Sequence, residues 1–317
     1  NYMSLSNPKK ILIIKHGSLG DIVFALEPIL AIQNKFDNSV IDLVTEEKFI
    51  SLFKKIKMFD QFIIDNRIGF FSTLSIITKI IAGKYDLIID LQNSKRTNFY
   101  HFFIKIFSRS RINGSRSFAH DRYVIPPQGT ESPMQGLFNQ LKLLDIDKID
   151  PDFSWLVSDK EDQSFANKEV VLVIPGVSKS GKSKQWSPTK YKQLCSFLES
   201  KGYYICLVGT KHDTEACQPI LEHCKNIINL IDKSPPEIIY RVASKSKLVI
   251  SNDTGPGHIA SLSKVNTLWL ALDNSITKSN LSFRKNSKLL LKKKMEDLSV
   301  DEVQDYISKN KLLDKVQ

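Results

Sequence analysis

The chain is expected to be an α/β protein with two Rossmann-like domains facing each other across a cleft. Three observations predict this. Short, wholly apolar runs alternate with stretches of helical spacing, which favours parallel strands covered by helices on both faces. That alternation lapses once, near the middle of the chain, and then begins again. The length, 317 residues, accommodates two domains of ordinary size.

The elements follow in order. Residues 10–14 contain the unbroken apolar run Ile11-Leu12-Ile13-Ile14, as in a strand buried on both faces. Residues 21–34 form a helix with Ile22, Leu26, Ile29 and Leu30 on one side. A second strand at 40–44 and a second helix at 46–56 come next, then strands at 61–64 and 86–91. Between those two strands, residues 70–82 have helical spacing and end at Gly83, a C-cap. A further helix is expected at 94–107. The rhythm breaks from 145 to 168, a stretch with Pro151, seven acidic residues and little periodicity, read as the linker. The domains are therefore placed at 1–150 and 151–317. The second half repeats the pattern, with strands at 170–174, 203–208, 226–230, 247–250 and 267–271. Its helices are placed at 188–200, 212–223, 235–243 and 257–263, and an amphipathic helix at 299–313 closes the chain. In such sheets ligands bind at the carboxyl ends of the strands, so the turns after Ile14, Ile174, Val208 and Ile250 matter most.

Composition narrows the function classes. Hydrophobic residues make up 42% and charged residues 25%, ordinary values for a soluble globular protein. No window reaches the roughly 18 uninterrupted apolar residues of a membrane span. The first apolar run is too short for a secretory signal and leads directly into Lys15 and His16. Cys195, Cys206, Cys217 and Cys224 form no CxxC pair, and Cys195 and Cys206 sit in apolar patterns as core thiols. A reducing, cytoplasmic location is expected. Lys and Arg exceed Asp and Glu by 45 to 34, a net charge of +11. Such a balance suits an anionic partner: nucleic acid, a membrane surface or a phosphorylated substrate. Cations are densest at Lys105, Arg109, Arg111, Arg116 and Arg122, and again at 292–294. No nucleic-acid recognition motif accompanies them, so nucleic acid is not an expected partner.

Three constellations carry the candidate chemistry. The first is Lys15-His16-Gly17-Ser18-Leu19-Gly20-Asp21, between a strand and a helix. Gly17 and Gly20 allow close backbone approach, and a helix N-terminus attracts anions. The third glycine of a dinucleotide fingerprint is absent, since residue 22 is Ile, and no P-loop ending is present. Asp21 also reads simply as an acid favoured in a first helical turn. The second constellation runs from Pro175-Gly176-Val177-Ser178 through Lys182 and Lys184 to Trp186 and Pro188, a Ser/Gly/Lys-rich loop suited to phosphate. Alternatively it is a basic loop whose Trp186 packs near the helix start. The third is Asn252-Asp253-Thr254-Gly255-Pro256-Gly257-His258. Its Thr254 hydroxyl and the N–H groups near Gly257 suit a pyrophosphate, and Asp253 or Thr254 equally reads as a helix cap.

Together these motifs resemble glycosyltransferase family 9, the bacterial heptosyltransferases of the lipopolysaccharide inner core, over nearly the whole chain, roughly residues 10–271. The N-terminal pattern is Lys15 to Gly20-Asp21 followed by Leu26-Glu27-Pro28. The middle one is Pro175 to Ser178 followed by Lys184-Gln185-Trp186 and Pro188, and the C-terminal one is Asp253-Thr254-Gly255 with His258. Asp86 to Asp90-Leu91-Gln92 matches the family's Asp-Leu-Gln strand end. The resemblance implies a GT-B fold and an inverting, metal-independent transfer with no cofactor. Asp21 is then the general base. Ser178, Lys184, Asp253, Thr254, Gly255, Gly257 and His258 bind the donor, an ADP-heptose-type nucleotide sugar. Gly17, Ser18, Gly20 and Gln92 line the acceptor side. The implied acceptor is an anionic glycolipid, with peripheral contact at the inner face of the cytoplasmic membrane. The aromatic-basic stretch from Phe99 to Arg111 either touches membrane or packs its apolar residues as a helix on the sheet.

The chain departs from the family at three places. After the 267–271 strand, where members carry a Gly-Pro-Thr-type loop, it reads Ala271-Leu272-Asp273-Asn274-Ser275, which sets an acid where phosphate is expected. The middle loop is about two residues longer than the family's, by the spacing of these motifs around a phosphate loop. In the 134–144 region Gln135 stands where many members have His. Two alternatives follow: a catalytically impaired nucleotide-sugar or glycan-binding protein, and a nucleotide-sugar epimerase on the same fold.

Overall fold

The computed structural model describes residues 7–157 and 165–314. The chain divides into two compact units: Asn1–Pro127 with Pro133–Asp152, and Gln128–Ser132 with Phe153–Gln317. Part of the 145–168 stretch lies outside the described residues. Within the rest of it Ile146, Phe153, Leu156 and Phe165 are buried, so this stretch packs rather than hanging in solvent.

The first unit runs β1 (Lys10–Ile14), α1 (Leu19–Lys35), β2 (Val40–Thr45), α2 (Ile50–Lys54), β3 (Phe62–Ile64), α3 (Phe70–Ala82), β4 (Leu87–Asp90), α4 (Lys95–Phe107), β5 (Arg111–Gly114), β6 (Asp121–Arg122) and α5 (Pro133–Leu141). All its strand pairs are parallel, in the order β3-β2-β1-β4-β5-β6. Ile11 to Ile14 are fully buried, as a central parallel strand covered on both faces requires. On one face Ile76, Ile77 and Ile80 of α3 and Tyr100 and Ile104 of α4 join Leu12, Ile14 and Ile88 in a single core.

The second unit runs β7 (Val170–Ile174), α6 (Pro188–Ser200), β8 (Tyr204–Gly209), α7 (Thr214–His223), β9 (Ile227–Ile231), α8 (Pro236–Lys245), β10 (Leu248–Asn252), α9 (Gly255–Ser261), β11 (Thr267–Leu272), α10 (Ser275–Leu281), β12 (Ser287–Lys292) and α11 (Val300–Lys309). Its sheet is again wholly parallel, β12-β11-β10-β7-β8-β9. Each unit thus has the strand order 3-2-1-4-5-6 of a doubly wound nucleotide-binding sheet. The order reverses between β1 and β4 and between β7 and β10, where no crossover covers the strand ends. All four cysteines are buried free thiols.

The differences from the expected elements have local causes. The helix expected over 46–56 begins later, as a 3-10 turn at Glu47–Phe49 followed by α2. Glu46 stays extended because its carboxylate accepts the Gly17 N–H at 3.2 Å and the Arg67 guanidinium at 2.7 Å. The C-cap at Gly83 is present, yet its backbone is ordinary right-handed helix. Glycine is needed there because a Cβ would lie 2.4 Å from the Tyr85 ring. The longer middle loop coils into a 3-10 turn, Lys179–Lys184. Strands β5, β6 and β12 and helices α5 and α10 are not among the expected elements.

Asn252, fully buried at the tip of β10, latches the second unit together. Its Oδ1 accepts from Trp186 N at 3.3 Å and Tyr191 Oη at 3.0 Å, and its Nδ2 donates to Leu270 O at 2.8 Å. One side chain so joins β10, β11 and the start of α6. Asn252→Ala leaves three buried groups without partners and should lower the unfolding free energy by about 3 kcal/mol or more. Urea unfolding with an unchanged m-value checks this; a loss below about 1 kcal/mol would show the latch to be redundant.

Candidate active site

The switch point of the first sheet holds the first motif. Lys15 directly follows β1 and reaches sideways, donating from Nζ to Leu91 O beyond β4 at 3.3 Å. Burial pushes the Lys15 ammonium pKa down, while Asp21 and Asp90 pull it back up. His16 N donates to Gln92 Oε1 at 3.1 Å, so Gln92 closes the gap between the two strand ends. Gly17 has φ +122, a conformation that disfavours any side chain, and a Cβ there would lie 2.8 Å from Asp21 Oδ2.

Asp21 is the third residue of α1 and is exposed. With Ser18 it forms a capping box: Ser18 Oγ accepts from Asp21 N, and Asp21 Oδ2 accepts from Ser18 N at 3.0 Å and Ser18 Oγ at 2.9 Å. Both contacts fall on one carboxylate oxygen. Oδ1 has no hydrogen-bond partner among the described residues. Gly20, the second residue of the helix, is buried.

Beneath this turn lies a charged network that sequence reasoning missed. His16 Nε2 sits 3.0 Å from Asp65 Oδ2, just past the end of β3. Asp65 also accepts from Arg96 Nη2 at 2.9 Å, Arg67 N at 3.0 Å and Tyr100 Oη at 2.5 Å. Burial alone would raise the Asp65 carboxyl, but His16, Tyr100 and Arg96 outweigh it and hold it well below the usual carboxylate range. Asp90, fully buried, accepts from Gln92 N and Asn93 N and lies 3.2 Å from His101 Nε2, which overcomes burial and lowers its pKa in turn. The available signal was an acid at the end of an expected strand: Asp65 directly after 61–64, and Asp90 near the close of 86–91.

The switch point of the second sheet gathers the other two motifs. Lys184 Nζ donates to Asp253 Oδ2 at 2.8 Å, and His258 Nε2 lies 3.2 Å from Asp253 Oδ1. The His258 ring packs on Trp269 with centroids 5.0 Å apart. Burial would raise the Asp253 carboxyl; His258 first and Lys184 second reverse this and bring it to about 2. The Asp253 side chain is 9% exposed and the Lys184 side chain 42%, so the ammonium is open to an incoming anion while its partner is not.

Thr254 N-caps α9 through its hydroxyl, which accepts from Gly257 N at 3.3 Å, and Gly255 is the first helical residue. Gly257 must lack a side chain, since a Cβ would lie 2.5 Å from Ser251 Oγ and 2.7 Å from the Trp269 ring. Ser178 is exposed, and its carbonyl accepts from Gly181 N at 2.8 Å, starting the 3-10 turn. Trp186 is fully buried and donates from Nε1 to Leu298 O at 2.9 Å, which makes it a core residue. The turn after β8 presses on the same loop: a Cβ on Gly176 would lie 2.0 Å from Asp213 Oδ1. Asp273 is paired with Lys278 at 2.6 Å, and Asn274 caps α10. Gln135 Nε2 donates to Asn139 Oδ1 at 2.8 Å. Among the described residues no group of three or more His, Cys, Asp or Glu could hold a metal ion.

The chain is similar to known proteins. Residues 73–270 match the family model described as Glycosyltransferase family 9 (heptosyltransferase). The lipooligosaccharide heptosyltransferase 2 of Haemophilus ducreyi is 28% identical over 211 residues, 58% of this chain and 59% of that protein, so the match spans less than two thirds of its length. A glycosyltransferase family 9 structure from Veillonella parvula has a TM-score of 0.80 at 18% identity, covering 98% of both chains. An E. coli heptosyltransferase solved with ADP-2-deoxy-2-fluoro heptose has a TM-score of 0.74 at 17% identity, covering 95% of this chain and 99% of that one. At these identities the structural likeness shows the GT-B fold.

A carboxyl whose pKa is lower folded than unfolded stabilises the fold above its unfolded value and loses that contribution as the pH falls. For Asp253 the window runs from about 4, the ordinary unfolded value, down to its folded value of about 2. Wild type should exceed Asp253→Asn in stability by about 2 kcal/mol at neutral pH. Urea unfolding across acid pH should show the gap closing through that window; a constant gap would contradict the pairing.

Proposed function

The chain belongs to glycosyltransferase family 9, and from that premise we propose that it moves a heptose-type sugar from an ADP-linked donor onto an anionic glycolipid acceptor of the lipopolysaccharide-core kind. The observation that carries this reading is the cluster of Lys184, Asp253 and His258 at the switch point of the second sheet, where such sheets bind nucleotides. The relatives support the chemistry: the Haemophilus protein is named a lipooligosaccharide heptosyltransferase, and the E. coli enzyme was solved with an ADP-linked fluoro-heptose.

The proposed reaction is a single in-line displacement that inverts the anomeric carbon. Asp21 Oδ1, the oxygen not used by Ser18, takes the proton of the acceptor hydroxyl as the acceptor oxygen bonds to that carbon. The bond from the sugar to the β-phosphate breaks, and the electron pair leaves with the diphosphate. Charge grows on the leaving group, and Lys184, exchanging Asp253 for phosphate, stabilises it without need of a metal. Asp253, still tied to His258, is then free to accept from sugar hydroxyls. No helix of the described residues is long and apolar enough to cross a membrane, and the proposed enzyme works peripherally on the cytoplasmic side.

The departure at Asp273 raised the reading of an impaired transferase. Its ion pair with Lys278 offsets the negative charge that motivated that reading.

Three outcomes are expected. Asp21→Asn should reduce transfer by about 10²–10⁴-fold while calorimetry finds donor affinity unchanged. Equal loss of donor binding would remove Asp21 from the role of base. Lys184→Gln should weaken ADP-sugar binding and lower kcat by about 10²-fold or more. Donor incubated alone should yield no epimer, and failure of every nucleotide diphosphate sugar to bind would refute the transferase reading.

A further inference from the structure

Helix α4 is apolar on two sides. Tyr100 and Ile104 face the sheet and are fully buried. Phe99, Phe102, Phe103 and Ile106 are spaced i, i+3, i+4 and i+7, which places them on one other stripe. Phe102 is 40% exposed, Ile106 56% and Phe107 65%. The rings of Phe99, Phe103, Phe102 and Phe118 form a continuous chain, with successive centroids 5.1, 5.2 and 5.3 Å apart. A contiguous aromatic surface of this kind on a soluble unit marks an interaction site.

The charge around it has one sign. From Leu91 to His120 the chain contains no Asp or Glu and six Lys or Arg residues. Arg96 is paired with Asp65 and Arg111 with Asp121, and Arg116 donates to Asn93 O. Lys95, Lys105 and Arg109 are exposed and have no acidic partner among the described residues. Lys95, Phe102 and Lys105 recur at helical spacing, so these two cations run along the aromatic stripe, and Arg109 follows two residues beyond the helix end.

We propose that this outer face of α4 docks on an anionic lipid bilayer, with the phenylalanines and Ile106 entering the headgroup boundary and Lys95, Lys105 and Arg109 meeting lipid phosphates. Aromatic rings flanked by cations match the two components of such an interface, apolar and anionic. A second copy of the chain fits less well, because a two-fold contact would set these cations against each other. The proposal deepens the reading above, since a glycolipid acceptor lies in such a surface, but its test requires no turnover.

The full chain is floated with phosphatidylcholine vesicles, with and without phosphatidylglycerol. Wild type should float with the anionic vesicles and not the neutral ones. Lys105→Gln/Arg109→Gln should weaken partitioning about thirty-fold, roughly five-fold for each cation near an anionic surface. Phe102→Ser/Ile106→Ser should abolish the part of binding that survives high salt. All four side chains are exposed, so thermal melts should match wild type, and any transfer to a water-soluble acceptor should be unchanged. Equal flotation with both vesicle types, none with either, or variants that float like wild type would overturn the proposal. So would a wild-type dimer by sedimentation, lost in Phe102→Ser/Ile106→Ser, without vesicle binding. Flotation by a chain that binds no nucleotide sugar would sink the transferase reading and leave this one standing.

Discussion

Where the winding of a parallel sheet reverses, two adjacent strands send their connections to opposite faces and leave their ends uncovered. Both halves of this chain contain that gap, and much of the candidate site consists of side chains that close it. Lys15 and Gln92 bridge β1 and β4; Asn252, Asp253 and Lys184 bridge β10 and the loop after β7. Polar groups buried this far are costly unless paired, so each bridge is also a hydrogen-bond or ion-pair assignment. The site and the latch of the fold are therefore built from neighbouring residues: Asn252 holds the second unit together, and Asp253 next to it belongs to the donor cluster.

The ion pairs differ in how readily they exchange. Lys278 and Asp273 are both largely exposed, and a pair like that contributes between about 0 and 1 kcal/mol. An arriving anion can take Lys278 at little cost. Asp65 is fully buried and engaged by four partners, so breaking that set would strand a charge in the interior. Lys184–Asp253 lies between these cases. Its acid is buried and also anchored by His258, while its cation is open. Of the three, only this pair combines a cation that can leave with an acid that remains supported when it does.

Legibility in the sequence followed apolar continuity. Lys10–Ile14 and Val170–Ile174 were visible because every core position is aliphatic, and both strands have the expected bounds. Strand β5 reads Arg-Ile-Asn-Gly and carries one aliphatic residue, so nothing in it suggests a strand. It is buried because Gln140 of α5 donates to Asn113 Oδ1 and accepts from Asn93, a polar closure that only tertiary contact reveals. Strand β12 was hidden by its lysines and its place at the sheet edge. The residues of the second and third motifs were all legible, but the pairing of Lys184 with Asp253 across 69 positions was not. Trp186 shows the opposite case, a residue in a motif whose place is the core.

Asp21 shows why spacing alone left its role open. An acid three residues after Ser18 is what a capping box demands, and the box is formed. Capping and proton transfer would compete if both needed the whole carboxylate. They do not, because Gly17 lacks a side chain and lets the turn close so that both Ser18 contacts fall on Oδ2. The cap then restricts the carboxylate's rotation and leaves Oδ1 pointing away from its own helix's N-cap. A freely rotating aspartate would have to be ordered at each encounter with the acceptor, whereas an anchored one has given up that entropy on folding. For the base proposed here, the structural role is thus the means by which the chemical role would be positioned.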